Sequence, residues 1–360
     1  MAEAVRIRTL LTDSLGPWRL RVPLMSAPMA GAAGGALAGA AARAGSLGFV
    51  AAGHASDLGA LREQVALFRS SAPEGAPLAL GFLGYSACSG GPDGLGVLPE
   101  VLAEHRPAFV QFFAPAVVDG GANIRAAHEA GALVFAQVGT EAEAREAIAV
   151  GADALIAQGR EAGGHGLRSE LGNGTLPLAA VVVTAAAQAA AEGRPRPAVL
   201  AAGGIVDGRG LAAVLALGCD GAVLGTRLWA SKEAMGSDLL KAELLRASGD
   251  EVMRTRVFDT LQNASSPAPW PVPFDSVGAV MNETTARWHE DQRGLEAAVG
   301  DGGAESIVVQ EFKKAAAAAD VTICTVRQCC YSVPLAAAPG SFAMDCSLSL
   351  SVLSVLFCSA

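Results

Sequence analysis

The chain of 360 residues is poor in aromatic residues, in charged residues and in long apolar runs. Aromatic residues make up 5%, charged residues 17%, and the net charge is -9. Because lysine and arginine form no block, nucleic acid and anionic membranes are not expected as partners. No run of about eighteen or more apolar residues occurs, so no transmembrane helix is predicted. The N-terminus lacks the apolar segment of a secretory signal, and we expect a cytoplasmic protein.

Cysteine is scarce over most of the chain. Of the 7 cysteines, only Cys88 and Cys219 precede residue 300, a distribution unlike that of a disulfide framework. We therefore expect a reducing compartment. The others lie in residues 321–360, where no histidine accompanies them to complete a zinc site, and no metal site is predicted. We predict that this segment is an atypical, poorly ordered tail.

Alanine and glycine are abundant, and apolar runs of strand length alternate with helix-like segments. The predicted strands are residues 22–29, 47–53, 78–85, 108–114, 133–139, 154–158, 198–205 and 221–230. The predicted helices are residues 34–44, 57–69, 98–105, 121–130, 141–150, 175–191, 209–217 and 232–247, with Asp57 and Thr175 as N-caps. Such alternation predicts parallel βαβ units, and eight of them predict an α/β protein with a closed (β/α)₈ TIM barrel over residues 1–260. An open doubly wound sheet is the alternative.

The composition of the sequence changes after residue 260. Residues 265–274, SSPAPWPVPF, are rich in proline and cannot form a regular helix. Helix candidates follow at residues 283–298 and 304–319. We predict that residues 261–320 form a small C-terminal helical appendage, which lies either over the mouth of the barrel or against it as a plain packing extension.

One segment combines a strand, glycines and a histidine. The run ALIAQ at residues 154–158 is followed by GREAGGHG. Gly163 and Gly164 have no Cβ, so a ligand can approach the backbone closely there. His165 belongs to the residue type whose ordinary pKa lies closest to neutrality, so it can accept a proton at working pH. A solvated or structural histidine is an equally good interpretation of this segment alone.

Two later strands end in glycine loops. Gly203 and Gly204 follow the seventh predicted strand, and Gly225 and Thr226 lie within the last one. TIM barrels often bind phosphate with the loops after strands seven and eight, through backbone N–H groups and helix N-termini. The two loops together indicate a phosphate-bearing ligand, with structural glycine turns as the alternative. A phosphate-bearing cofactor that supplies the difficult chemical step, beside a histidine that accepts a proton, would fit these loops.

The segments PLMSAPMAG, LGFVAAG, AQVGT, AQGREAGGHG, LAAGGIVDG and GAVLGTRLWAS occur in this order and resemble the nitronate monooxygenase family, formerly called 2-nitropropane dioxygenases, over about residues 20–260. The resemblance implies an FMN-dependent (β/α)₈ barrel. It implies oxidation of alkyl nitronates, sometimes of nitroalkanes, by O₂ to a carbonyl compound and nitrite. The small nitro or nitronate substrate and O₂ are then the partners, and a homodimer is left open.

The resemblance also assigns residues. His165 matches the catalytic base of the family. The positions that match FMN contacts are Pro28, Met29, Ala30, Gln137, Gly163, Gly164, Ala202, Gly203, Gly204, Gly225 and Thr226. Gln137 stands where some members have lysine, and His54 follows the second strand, where it either lines the pocket or is solvated. His105, His128 and His289 are predicted to lie at the surface.

Two rival functions remain at this stage. An FMN- and NAD(P)H-dependent enoyl-thioester reductase shares the barrel and much of the glycine pattern. A catalytically silent barrel that binds a phosphorylated ligand is the alternative from another class. The spectrum of the purified protein would separate them.

Overall fold

The computed structural model describes residues 7–13, 18, 20–53, 58–88 and 95–318, so that His54, Asp57 and the predicted tail lie outside the described residues. The strands are β1 (Leu24–Ser26), β2 (Phe49–Gly53), β3 (Ala79–Leu83), β4 (Phe109–Phe113), β5 (Leu133–Val138), β6 (Ala154–Gln158), β7 (Gly164–Gly166), β8 (Ala198–Ala202), β9 (Gly221–Leu224), β10 (Val252–Thr255) and β11 (Ser276–Val280). The α-helices are α1 (Leu10–Asp13), α2 (Gly35–Arg43), α3 (Leu58–Ser71), α4 (Gly84–Ala87), α5 (Leu98–His105), α6 (Ala122–Glu129), α7 (Glu141–Ala149), α8 (Thr175–Ala191), α9 (Gly208–Ala216), α10 (Thr226–Trp229), α11 (Asp238–Arg246), α12 (Val257–Asn263), α13 (Glu283–Trp288), α14 (Gln292–Val299) and α15 (Ile307–Ala317).

Eight parallel strands form one sheet in the order β1-β9-β8-β6-β5-β4-β3-β2. Its two ends meet at a parallel bridge between Met25 and Leu47. There the Ser26 N–H donates to the Leu47 carbonyl, and the Leu47 N–H donates to the Leu24 carbonyl, both at 2.9 Å. The sheet is therefore closed. The predicted (β/α)₈ barrel is confirmed, and the open sheet is wrong.

Alternate residues of each strand face the barrel interior and the surrounding helices. Phe49, Phe109 and Phe135 fill the interior, with ring centroids 5.7 Å apart in edge-to-face pairs. Trp18 packs on Phe109, the first residue of β4, with ring centroids 5.1 Å apart, and so lies at the amino end of that strand. Small residues and glutamines dominate the opposite end, and the carboxyl ends of the strands are left open for a site.

Several predicted boundaries are wrong. The last barrel strand ends at Leu224, because the chain turns at Gly225 and α10 follows, in which the Leu228 and Trp229 N–H groups donate to the Gly225 carbonyl. The helix predicted over residues 232–247 begins only after Ser237, whose hydroxyl accepts from the Leu240 N–H. The helix predicted over residues 283–298 is two helices, α13 and α14. Thr175 is the first residue of α8 rather than its cap, which is Gly174.

A second sheet was not predicted. Strands β10, β11 and β7 form a three-stranded antiparallel sheet with β11 in the middle, and Val277 of β11 pairs with His165 of β7. Helix α12 packs on β11, helices α14 and α15 pack on α12, and together they enclose a small apolar core of their own. We call residues 249–318 the C-terminal lobe. The boundary predicted at residue 260 falls inside α12, and the division into domains stays a prediction.

The prediction that His105 lies at the surface is wrong, and its place on helix α5 explains why. His105 is only 6% exposed, against the surface position predicted for it. It lies on the same stripe as Leu98, Val101 and Leu102, which is buried, and burial lowers its pKa. His128 and His289 are exposed, as predicted. Among the described residues, no helix combines the length and the apolar character needed to cross a bilayer.

Candidate active site

A cavity of about 1170 Å³, counting its open mouth, lies at the carboxyl ends of the barrel strands. Parallel strands bring their carboxyl ends to one edge, so loops distant in sequence meet there. The residues that the sequence assigned to FMN or to catalysis all line it: Pro28, Met29, Ala30, Gln137, Gly163, Gly164, His165, Ala202, Gly203, Gly204, Gly225 and Thr226. The structure thus brings the whole predicted set into one place.

One end of the cavity combines glycine backbone with a cation. Gly203 and Gly204 have φ values of +120° and +69°, a region that favours glycine. Arg227 lines this end and is half-buried. Burial lowers its pKa, against the opposing influence of Asp207.

The charge at this end is positive. Among the described residues, Asp207 pairs with Arg209, at 2.8 Å from Nε to Oδ2, and Arg227 forms no salt bridge. None of the described residues that line the cavity is an aspartate or a glutamate. The arrangement therefore favours an anionic group.

Three glutamines on neighbouring strands form one wall. Gln111 of β4 donates from Nε2 to Oε1 of Gln137 on β5, at 2.8 Å. Gln158 at the end of β6 donates from Nε2 to the carbonyl of His165, also at 2.8 Å. Gln111 and Gln158 were not predicted as site residues. The sequence feature that could have identified them is a single glutamine in an otherwise apolar strand, Gln111 in FVQFF and Gln158 in ALIAQ.

His165 lies on β7 with its side chain only 4% exposed. Its Nε2 atom is 2.6 Å from Oδ1 of Asp259, whose side chain is 2% exposed. The indole of Trp270 stacks on the imidazole, with ring centroids 3.6 Å apart and planes 10° apart. Trp270 belongs to the proline-rich segment and lines the cavity, so this segment contributes to the mouth of the barrel. Neither Asp259 nor Trp270 was predicted.

The loop that carries His165 is tied to the C-terminal lobe by two arginines. Buried Arg254 donates to the carbonyls of Arg160, Ala162 and Ser276. Arg168 binds both carboxylate oxygens of Asp275, each at 2.7 Å. Burial acts to raise the pKa of Asp275, but the hydrogen bonds and charge of Arg168 outweigh it and hold that pKa below its ordinary value.

Comparisons with known proteins identify the family. Residues 99–264 match the family model for nitronate monooxygenase. A nitronate monooxygenase of Metarhizium robertsii is 35% identical over 297 residues, which cover 78% of this chain and 77% of that protein. A (3aS,4S,5R,7aS)-5-hydroxy-7a-methyl-1-oxo-octahydro-1H-indene-4-carboxyl-CoA dehydrogenase of Mycobacterium tuberculosis is 28% identical over 305 residues, with coverages of 79% and 77%. Among solved structures, a nitroalkane oxidase from Streptomyces ansochromogenes has a TM-score of 0.65 at 28% identity and covers 86% of this chain and 90% of its own. The chain belongs to the nitronate monooxygenase family.

Proposed function

We propose that this protein is an FMN-dependent monooxygenase that oxidises alkyl nitronates with O₂ to a carbonyl compound and nitrite. The observation that carries the proposal is one cavity in which a cationic, glycine-lined end, a wall of amides and a buried histidine converge. Membership of the family adds support from an independent direction.

The residues present fit FMN. The positively charged end suits a phosphate, since Arg227 and the backbone of Gly225 and Thr226 lie together and no described lining residue is a carboxylate. A Cβ at Gly203 would lie 2.7 Å from the Thr175 hydroxyl and 2.9 Å from the Ala162 nitrogen, so this backbone keeps its path only with glycine.

Two further surfaces would hold the flavin ring. Pro28, Met29 and Ala30 would contact it from the first loop, and Gln137, Gly163, Gly164, Ala202 and Gly204 from the other side of the cavity. FMN, when bound there, would supply the oxidation and the reaction with O₂.

The protein's own part in the reaction centres on His165. A neutral nitroalkane must lose its α-proton, and His165 takes that proton on an imidazole nitrogen. The resulting positive charge then holds the nitronate anion that the proton has left. With a preformed nitronate no proton is removed, and His165 orients the anion. Apolar side chains of Phe82, Phe113 and Trp270 line the cavity and strengthen these electrostatic contacts by lowering the local dielectric constant.

The absorbance spectrum of the purified protein tests the proposal, before and after anaerobic addition of an alkyl nitronate. A flavin spectrum that bleaches with nitronate, and returns in air with release of nitrite, is the expected result. Bleaching by NADH, with turnover of a crotonyl thioester and indifference to nitronate, would instead indicate the reductase. A protein that takes up no flavin on reconstitution would leave the silent ligand-binding barrel.

A further inference from the structure

Helix α12 acts on His165 through two side chains one turn apart. Asp259 lies beside the imidazole, and Asn263 follows it by four residues on the same face of the helix. Asn263 accepts from the backbone N–H of Trp270 at 2.9 Å and donates to the backbone carbonyl of Trp270 at 3.1 Å. One short helix therefore fixes both the edge of the imidazole and the indole that covers its face.

We propose that Asp259 is a positioning residue that holds His165 with its proton on Nε2, so that Nδ1 is the nitrogen that exchanges a proton with the substrate. The identity of the substrate rests on the proposed function, whereas the position of the proton does not. Nothing in the sequence motifs of the barrel assigns this part to Asp259.

The bond at Nε2 determines which nitrogen of the neutral ring carries the proton. With Asp259 ionised, its carboxylate only accepts hydrogen bonds, so Nε2 donates to Oδ1 and the neutral ring has its acceptor lone pair on Nδ1. Asp259 is not among the described residues that line the cavity, whereas His165 is. The Nε2 edge is therefore turned toward the C-terminal lobe.

The same contacts stabilise the ring after it has gained a proton. With a neutral nitroalkane, the C–H bond breaks, its electron pair stays on the substrate as nitronate, and the proton forms a new bond to Nδ1. The imidazolium then has the carboxylate of Asp259 at 2.6 Å in a buried site, where a countercharge acts strongly. The stacked indole adds attraction to a cation over its face. A preformed nitronate has already lost this proton, so its oxidation gains much less from Asp259.

The chain offers a matched control in Asp275. It also belongs to the C-terminal lobe and holds the same loop, but through Arg168 rather than through the imidazole. If Asp259 serves only to attach the lobe, the variants Asp259→Asn and Asp275→Asn will behave alike. If it positions the base, only Asp259→Asn will change the protonation pattern of His165.

The experiment combines ¹⁵N NMR of the imidazole groups with substrate kinetics on the flavin-loaded protein. Uniform labelling of histidine and comparison with His165→Gln identifies the signals of His165. In the wild type we expect a proton on Nε2 and none on Nδ1 of the neutral ring. The amide of Asp259→Asn can donate to Nε2, which favours the opposite tautomer, whereas Asp275→Asn keeps the wild-type pattern.

The kinetic expectation is a split between substrates. Asp259→Asn lowers kcat for a neutral nitroalkane by about 100-fold and lowers nitronate oxidation by a much smaller factor, because with nitronate His165 only orients the anion. Asp259→Glu keeps a carboxylate and recovers part of the lost rate, and it serves as the second variant if Asp259→Asn does not fold.

A wild-type His165 with its proton on Nδ1 would overturn the proposal, and this measurement needs no Asp259 variant. So would equal losses with nitroalkane and nitronate in a folded, flavin-loaded Asp259→Asn protein. A wild-type protein that oxidises no nitronate refutes the proposed function instead, and the NMR result stands apart from it.

Discussion

The rim of the barrel and the C-terminal lobe meet at His165, and they contribute in different ways. The rim supplies glycine backbone, amides and one arginine from the ends of successive strands. The lobe supplies Asp259 and Trp270, which contact the imidazole from a separate sheet and helix. We therefore expect the binding of an anionic cofactor to depend on the barrel, and the control of the proton to depend on residues distant in the chain. The variants below test whether these two contributions separate.

The largest effect is expected where the two regions join. His165→Asn removes the proton acceptor, and kcat for neutral nitroalkanes falls by about 10²- to 10⁴-fold. Flavin content stays near that of the wild type, because the glycine loops and Arg227 are untouched. Oxygen uptake and flavin absorbance measure the two quantities on one sample. Full nitroalkane turnover in this variant would remove His165 from the role of base.

The next largest effect is expected for a variant that changes only the rim of the barrel. Arg227→Gln removes the cation at the phosphate end, and the Kd for FMN rises by about 10- to 100-fold, the usual worth of a hydrogen bond to a charged group. Riboflavin, which lacks the phosphate, binds unchanged. Fluorescence titration of flavin-depleted protein measures both. Arg145→Gln is the control, since Arg145 is exposed on α7, pairs there with Glu141 and does not line the cavity. Equal weakening of FMN and riboflavin would show that Arg227 does not bind the phosphate.

A smaller effect concerns attachment of the lobe, and it depends on pH. Asp275→Asn lowers the free energy of unfolding at pH 7 by about 2 kcal/mol, because it removes the hydrogen bonds to Arg168. The pKa of Asp275 is lowered in the folded protein, so its stabilisation is present above the ordinary carboxyl pKa of about 3.9 and is lost as the pH falls through the folded value. Urea unfolding curves of both proteins should therefore converge in acid. A gap that persists at low pH would mean that Asp275 stabilises by packing rather than by charge.

The smallest effect compares two glycines with left-handed backbone. Gly193→Ala, at φ +82° with open space around its Cβ position, should cost about 1–2 kcal/mol of stability and leave flavin affinity unchanged. Gly203→Ala carries the same kind of backbone cost and also forces its Cβ against Thr175 and Ala162, so flavin affinity falls as well. Thermal unfolding and flavin titration measure the pair. Similar flavin binding by both variants would make Gly203 a turn residue only.

The sequence was sufficient for the barrel and its rim because their signals are local. Each strand is an apolar run followed by its own helix, and Gly203, Gly204 and Gly225 mark the turns after β8 and β9. The strand predicted through residue 230 was too long, because LWA remains apolar after the chain has already turned at Gly225.

The C-terminal lobe could not be predicted from the sequence, for a different reason. Segments such as VMRT and GHG have no strand pattern of their own, and they become strands only by pairing across a long stretch of chain. Asp259, in VFDTLQN, looks like the polar residue of an ordinary surface helix. Its burial beside His165 is decided by how the lobe docks, which no local pattern encodes.

The hydrogen bonds of Arg254 limit how this enzyme can be recombined with its relatives. Arg254 serves as hydrogen-bond donor to carbonyls on both sides of the junction, in the loop of residues 159–168 and in β11. A chimaera that joins the loop of one parent to the lobe of another would need both parents to place those carbonyls alike. Crossover points are therefore best placed before residue 154 or after residue 280, so that the loop and Arg254 come from the same parent.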